Sequence, residues 1–274
     1  MMSNRSLCRT TLAISVALIL GTGAGLPSMA SIDTARAAAQ ATINFIEGTM
    51  LPTGKRITPE AAPGSIFQPL NPGLVDTPDF LADHAVDTVI SPDGGTLLIL
   101  TSGYNRYNDT TGKRLDSASN EYIFVFDISG QKPVQKQVVQ TPNTFNGIAW
   151  NPKGNEFYVS GGVDDNVHVY SETGGQWTET LPPIELGHNG KGEGVNVKPL
   201  AAGLTVNTSG TQLLVANYEN DSISLIDLQT RQEIAELDLR PGKINSSQEG
   251  VPGGTYPFAV AFIGDTKAYV SSQR

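Results

Sequence analysis

"LLVANYENDSISLIDLQTR", Leu213–Arg231, is an apolar run, a polar turn holding Asn and Asp, an alternating strand and a second turn. The chain writes the same layout earlier as "FYVSGGVDDNVHVYSETGG", Phe157–Gly175. Duplication at this scale marks a repeat architecture. Four turns anchor it: "SPDG" at Ser91, "NPKG" at Asn151, "NTSG" at Asn207 and "IGDT" at Ile263, spaced 60, 56 and 56 residues apart. A short apolar strand precedes each turn ("VDTVI", "NGIAW", "AGLTV", "FAVAF") and a second follows it ("LLILTSG", "EFYVSGG", "QLLVANY", "KAYVSSQ"). The first three units add an alternating strand ("YIFVFDI", "NVHVYSE", "SISLIDL") and a weaker outer one, such as "QKQVVQT" or "QEIAELDL".

Four antiparallel strands per unit, with hydrophobicity falling toward the last, describe a β-propeller blade. The expected class is all-β, with about three and a half four-stranded blades over residues 83–274. Gly at 29, Pro at 17 and 16% charged residues suit short strands and tight turns. Along the aligned inner strands Asp87, Gly147, Gly203 and Ala259 share one face with Val89, Ala149, Thr205 and Ala261. The bulkier Thr88, Ile148, Leu204 and Val260 share the other with Ile90, Trp150, Val206 and Phe262. The small set is expected to line a narrow central channel and the bulky set to pack between blades.

The units "FYVSGG", "LLVANYENDSISLIDLQT" and "AYVSSQ", with "SPDG" as inner turn, resemble the YVTN class of β-propeller repeats. Upstream, "LPTGKRITPEAAPGSIFQPLNPGL" and "DHAVDTVISPDGGTLLILTSGYN" resemble the N-terminal propeller of exported bacterial proteins that carry a metal-dependent phosphoesterase domain. The last unit supplies only its first two strands, so the chain is expected to be a fragment of a seven-bladed propeller; the resemblance assigns the phosphatase chemistry to a domain lying after the propeller. It transfers no catalytic residue to this chain, and a fold of this kind does not by itself name an activity.

Residues 1–30 form a separate element: Arg5 and Arg9, the apolar core "LAISVALIL" (12–20), then small residues ending at Ala30, with a second cleavage pattern ending at Ala37. This is the order of a secretory signal, and its core is too short to span a bilayer. Cleavage removes Cys8, the only cysteine, so the exported chain has no thiol chemistry. A periplasmic or secreted location follows. Residues 31–82 read as an N-terminal extension in which Thr42–Ile46, "TINFI", offers a ring-closing strand. The net charge of −9 argues against nucleic-acid backbones or anionic membranes as partners.

Chemistry is sparse. There is no G-x-S-x-G, no H-E-x-x-H and no phosphate loop, since "GHNGKGEG" has no Ser or Thr after its Gly-Lys and no helix behind it. "VDDNV" and "YENDSI" read as turns in which Asp and Asn bond their own backbone, and no metal site or cofactor is expected. His168, alternating within "NVHVY", reads as a half-exposed sheet residue. Long segments are more telling: 104–120, 187–200 and 240–255 all fall at strand-two-to-three or blade-to-blade connections, which emerge on one face of a propeller. The expected ligand contacts there are His84, Asp87, Arg106, His188, Lys191 and Glu193. The sequence thus points to a binding or scaffold module for a small-molecule or protein ligand, accessory to a phosphoesterase. The alternatives are a lactonase-like or quinone-dependent dehydrogenase-like propeller enzyme, or a purely structural envelope protein.

Overall fold

The structure, a computed structural model, describes residues 49–50, 56–57, 68–82, 84–102, 107–115, 119–188, 199–251 and 255–273. The chain divides into two compact units, Met1–Gln68 and Pro69–Arg274. In the first, β1 (Thr49–Met50) pairs antiparallel with β2 (Arg56–Ile57). The leader and the segment Thr42–Ile46 lie outside the described residues.

The second unit is a series of antiparallel meanders. Blade 1 holds β3 (Ala85–Ile90), β4 (Thr96–Thr101), β5 (Glu121–Asp127) and β6 (Val134–Thr141) in that spatial order. Blade 2 holds β7 (Ile148–Trp150), β8 (Glu156–Ser160), β9 (Asn166–Thr173) and β10 (Gln176–Glu179), and its outer edge resumes as β11 (Ile184–Glu185) on β9. Blade 3 holds β12 (Ala201–Val206), β13 (Gln212–Asn217), β14 (Ser222–Asp227) and β15 (Gln232–Asp238). Finally β16 (Pro257–Ile263) pairs with β17 (Lys267–Ser272). The first strands lie side by side, β3 against β7, β7 against β12 and β12 against β16. Four-stranded sheets gathered by their first strands make a β-propeller, with three complete blades and two strands of the next among the described residues.

The first three anchor turns form because each closes a tight loop on its glycine. Gly94, Gly154 and Gly210 donate to Ser91 O, Asn151 O and Asn207 O at 2.9, 2.8 and 3.0 Å. All three glycines sit at φ of 70–76°, where a Cβ is strained.

Both faces of blades 1 and 2 pack against neighbours. Leu98, Leu100, Ile123 and Val125 of blade 1 meet Ile148, Trp150, Phe157 and Tyr170 of blade 2 in one apolar seam. Tyr158, Val167 and Val169 of blade 2 meet Leu204, Leu213, Val215 and Ile226 of blade 3 in the second. The far face of blade 1, with Tyr122, Phe124 and Phe126, is covered by Leu70, Phe80 and Ala82. Each fully buried side chain of this size contributes about 1.5–3 kcal/mol.

Gly147, Gly203 and Ala149 of the small inner-strand set face a neighbouring blade and not a channel. A Cβ on Gly147 would collide with Ala202 O, and one on Gly203 with Phe258 O. Ala149 packs in the second seam with Leu204 and Val206. Strands crowd together near the axis, so the face turned to the next blade must be small enough for its backbone. No helix among the described residues is long and apolar enough to cross a membrane.

A histidine–carboxylate cluster as candidate functional site

The second-to-third-strand turns and the connections to the next blade do meet on one face. Asp165, in the β8–β9 turn, accepts from His188 N at 2.5 Å. Asp221, its counterpart in the β13–β14 turn, accepts from Thr255 N and Tyr256 N at 2.6 and 3.0 Å. Both aspartates are buried at φ of 60° and 53°, a backbone region that Asp tolerates better than most residues. Their carboxylates therefore reach past their own turns and hold the thread leading to the following blade.

Of the six expected contact residues, Arg106, Lys191 and Glu193 lie outside the described residues. His84 is exposed at φ 53°, and its carbonyl accepts from Ser102 N at 3.0 Å. Leu200 and Tyr256 repeat that arrangement at φ 52° and 46°, accepting from Tyr218 N and Gln273 N. His84 thus occupies a recurring backbone position that opens β3, β12 and β16. Asp87 spans two blades: Oδ2 accepts from Ile148 N at 3.3 Å while Oδ1 accepts from Thr88 N at 2.8 Å. Desolvation pushes this carboxyl above its ordinary range, and the two backbone donors pull part of the way back. His168 is buried rather than half-exposed, with Nδ1 2.6 Å from Glu179 Oε1 and, among the described residues, no hydrogen-bond partner for Nε2. Its face of β9 is turned into the first seam, so alternation along the strand did not mean exposure.

His188 is where polar groups converge. It is 3% exposed and follows Leu186, whose N–H donates to Asp165 O at 2.9 Å. Nδ1 lies 2.7 Å from Asp165 Oδ1, so an N–H at Nδ1 donates to that carboxylate and the ring is held in one orientation. Nε2 then faces Glu236 Oε1 at 3.2 Å and Asn217 Nδ2 at 3.3 Å.

The two glutamates come from β15 by way of a bulge. Glu233 pairs opposite Ile226 and Glu236 opposite Ser224, with the register shifting between Leu225 and Ile226. Residues three apart on a regular strand face opposite ways; the extra residue in the bulge brings both onto one face. Ligand atoms of His188, Glu233 and Glu236 all lie within 4.8 Å of one another. Asn217 Nδ2 donates to Ser222 Oγ and Ser224 Oγ at 2.9 and 2.8 Å, and Asn220 Nδ2 donates to Glu236 Oε1 at 3.0 Å.

The electrostatics follow from this crowding. Burial alone would lower the His188 pKa, but the hydrogen bond and charge of Asp165, then Glu236 and Glu233, outweigh it and raise it. Desolvation pushes Glu233 up. Sequence reading found His188 in its unusual loop and missed Glu233 and Glu236, because "QEIAEL" read as a strand puts them on opposite faces. The signal for Asp165 was its turn, "VDDNV", read only as a local loop.

The same loop face carries a row of rings from three blades. Phe145 lies 5.6 Å from Tyr218 and 5.9 Å from Phe258, and Tyr218 lies 5.3 Å from Tyr256. On the opposite, short-turn face, two shallow clefts of about 290 Å³ are lined largely by polar side chains, including Lys136 and Glu172 in one and Lys153 and Glu156 in the other.

No protein-family profile matches the chain, and no curated protein does. Solved structures do. The periplasmic gluconolactonase of Pseudomonas aeruginosa is 18% identical over 71% of this chain and 53% of its own, with a TM-score of 0.48. A calcium-binding protein, regucalcin, from Agrobacterium tumefaciens is 17% identical over 65% and 48%, at 0.41. The β-propeller domain of a Myceliophthora protein is 12% identical over 70% and 63%, at 0.42. The chain spans about half the length of the first solved structures it matches. At these identities the likeness concerns fold alone, and the sheets described above carry the assignment by themselves: this is a β-propeller chain.

Proposed function

We propose that the protein is an exported propeller binding module that recognises a small-molecule or protein ligand on its long-loop face. The carrying observation is the ring row of Phe145, Tyr218, Tyr256 and Phe258. It crosses three successive blades at the face where the connections gather, and Tyr256 remains 39% exposed. Aromatic rings held on a rigid scaffold supply contact area at low entropic cost. The resemblance to propellers of exported phosphoesterases supports a role in presenting substrate to such a catalytic domain.

Native mass spectrometry of protein recovered from the envelope fraction tests this. Wild type is expected to carry a ligand or partner that a Tyr218→Ala/Tyr256→Ala variant loses and a short-turn-face variant, Lys153→Ala, keeps. The reverse pattern, or wild type bare in repeated preparations, counts against the reading. A lactonase-like enzyme is the second reading, favoured by the His188–Glu236 contact. Glucono-1,5-lactone turnover that vanishes in Glu236→Gln would establish it in place of the first.

A further inference from the structure

Among the described residues, Asp165, Glu233 and Glu236 surround the one imidazole of His188, and the ligand atoms of His188, Glu233 and Glu236 converge within 4.8 Å. Two further atoms point the same way. Among the described residues, Glu233 Oε1 has no hydrogen-bond partner, nor does Asn217 Oδ1, on a side chain that is 0% exposed and whose Nδ2 lies 3.3 Å from His188 Nε2.

We propose that His188 Nε2, Glu233 and Glu236 bind one divalent transition-metal cation, Zn²⁺ by preference, at the seam between blades 2 and 3. One imidazole nitrogen and two carboxylates are a donor set that zinc takes at about 2.0–2.2 Å. Bonds of that length set tetrahedral ligand atoms roughly 3.3–3.6 Å apart, and the ligand atoms here already lie within 4.8 Å of one another, with His188 Nε2 3.2 Å from Glu236 Oε1. The Asp165 bond to Nδ1 is the outer-shell contact that metal-ligating histidines characteristically make, directing the Nε2 lone pair at the ion. Asn220, donating to Glu236 Oε1, supports a second ligand in the same manner. With three protein donors, a fourth position remains for water or a ligand group. Calcium and magnesium are disfavoured because they select all-oxygen shells. This site goes beyond the ring-row reading and stands without it, since it uses none of the four aromatic residues.

The test starts from the full chain, stripped by chelator and dialysed, then titrated with ZnCl₂ by calorimetry and followed by thermal unfolding. The expected result is one Zn²⁺ per chain and a Tm rise of roughly 5–10 °C at a hundredfold excess over Kd. CaCl₂ and MgCl₂ at the same concentration are expected to leave Tm unchanged. Glu236→Gln, a change at a partly exposed side chain that leaves the core intact, should weaken binding at least tenfold, and Glu233→Gln/Glu236→Gln should abolish it. Glu179→Gln, at the other histidine–carboxylate pair, should bind as wild type does. Zinc uptake that is absent, not saturable at one per chain, unchanged in the double variant or lost in Glu179→Gln overturns the proposal. The Tyr218→Ala/Tyr256→Ala variant keeps its zinc, so failure of this site and failure of the ring-row reading are told apart.

Discussion

The two seams of the propeller use strands in the same order and have different interiors. In the first, Phe157 stacks on Tyr170 at 4.9 Å, and Trp150 meets Trp177 edge-on at 5.1 Å. In the second, the corresponding positions hold aliphatic residues, among them Leu213 and Ile226. Each seam nonetheless has a glutamate at one cross-strand position: Glu179 opposite Tyr170, and Glu233 opposite Ile226. In the first seam the histidine rises from β9 itself, and His168 meets one carboxylate. In the second the histidine arrives from the connecting loop and meets three. The repeat sets the backbone of a blade; what the outer strand and the loop deliver into the seam sets its chemistry. An aromatic seam holds blades together, whereas a seam that gathers one imidazole and two glutamates offers ligands to a cation.

The largest effect that would separate the seams comes from Phe157→Ala. Removing a fully buried ring from the aromatic stack should cost about 3–5 kcal/mol in urea unfolding. A loss below about 1 kcal/mol would mean that the first seam is not held by its rings. Next comes Gly203→Ala, which pushes a Cβ into Phe258 O at the inner edge between blade 3 and β16. Overpacking of this sort costs about 1–3 kcal/mol, read as a lower Tm, and Gly147→Ala should match it at the neighbouring blade.

Asp221→Ala sharpens the contrast between the two turn aspartates. It strands the Thr255 and Tyr256 N–H groups and should cost about 1–3 kcal/mol. Asp165→Ala should cost a similar amount and also weaken zinc binding, whereas Asp221→Ala should leave zinc binding intact. The smallest effect is at Asp87, whose carboxyl has a folded pKa above its ordinary 3.8. A raised carboxyl subtracts stability above its folded pKa, and that penalty is relieved as pH falls toward 3.8. Asp87→Asn should therefore change stability by less than about 1 kcal/mol at pH 7, with wild type gaining on it as pH is lowered. A wild type that loses ground to the variant on acidification would contradict the desolvation.

The blades were legible because turn spacing and strand alternation are local properties. The bulge in β15 was not legible. Nothing in "QEIAELDL" announces the extra residue that turns Glu233 and Glu236 onto one face, and that residue is what makes the cluster. The direction of the small inner-strand residues was misread for a related reason. Alternation separates two faces of a strand without saying what each meets, and here the small face meets the backbone of the next blade. His168 shows the same limit, since a histidine at an alternating position reads as polar and outward until the neighbouring blade buries it.

The turn aspartates also bear on cooperativity. Asp165 grips the thread that leaves blade 2, and Asp221 grips the thread that enters β16. Blades 2 and 3 are thus each latched to the segment that follows by one buried aspartate, in addition to the contacts between blades. Such a protein behaves as a one-dimensional stack of nearest neighbours, in which opening a latch together with its seam releases the next blade while the preceding ones stay closed. Amide exchange should then rise in steps from blade to blade, with the steps falling at Asp165 and Asp221 and not in the middle of any sheet.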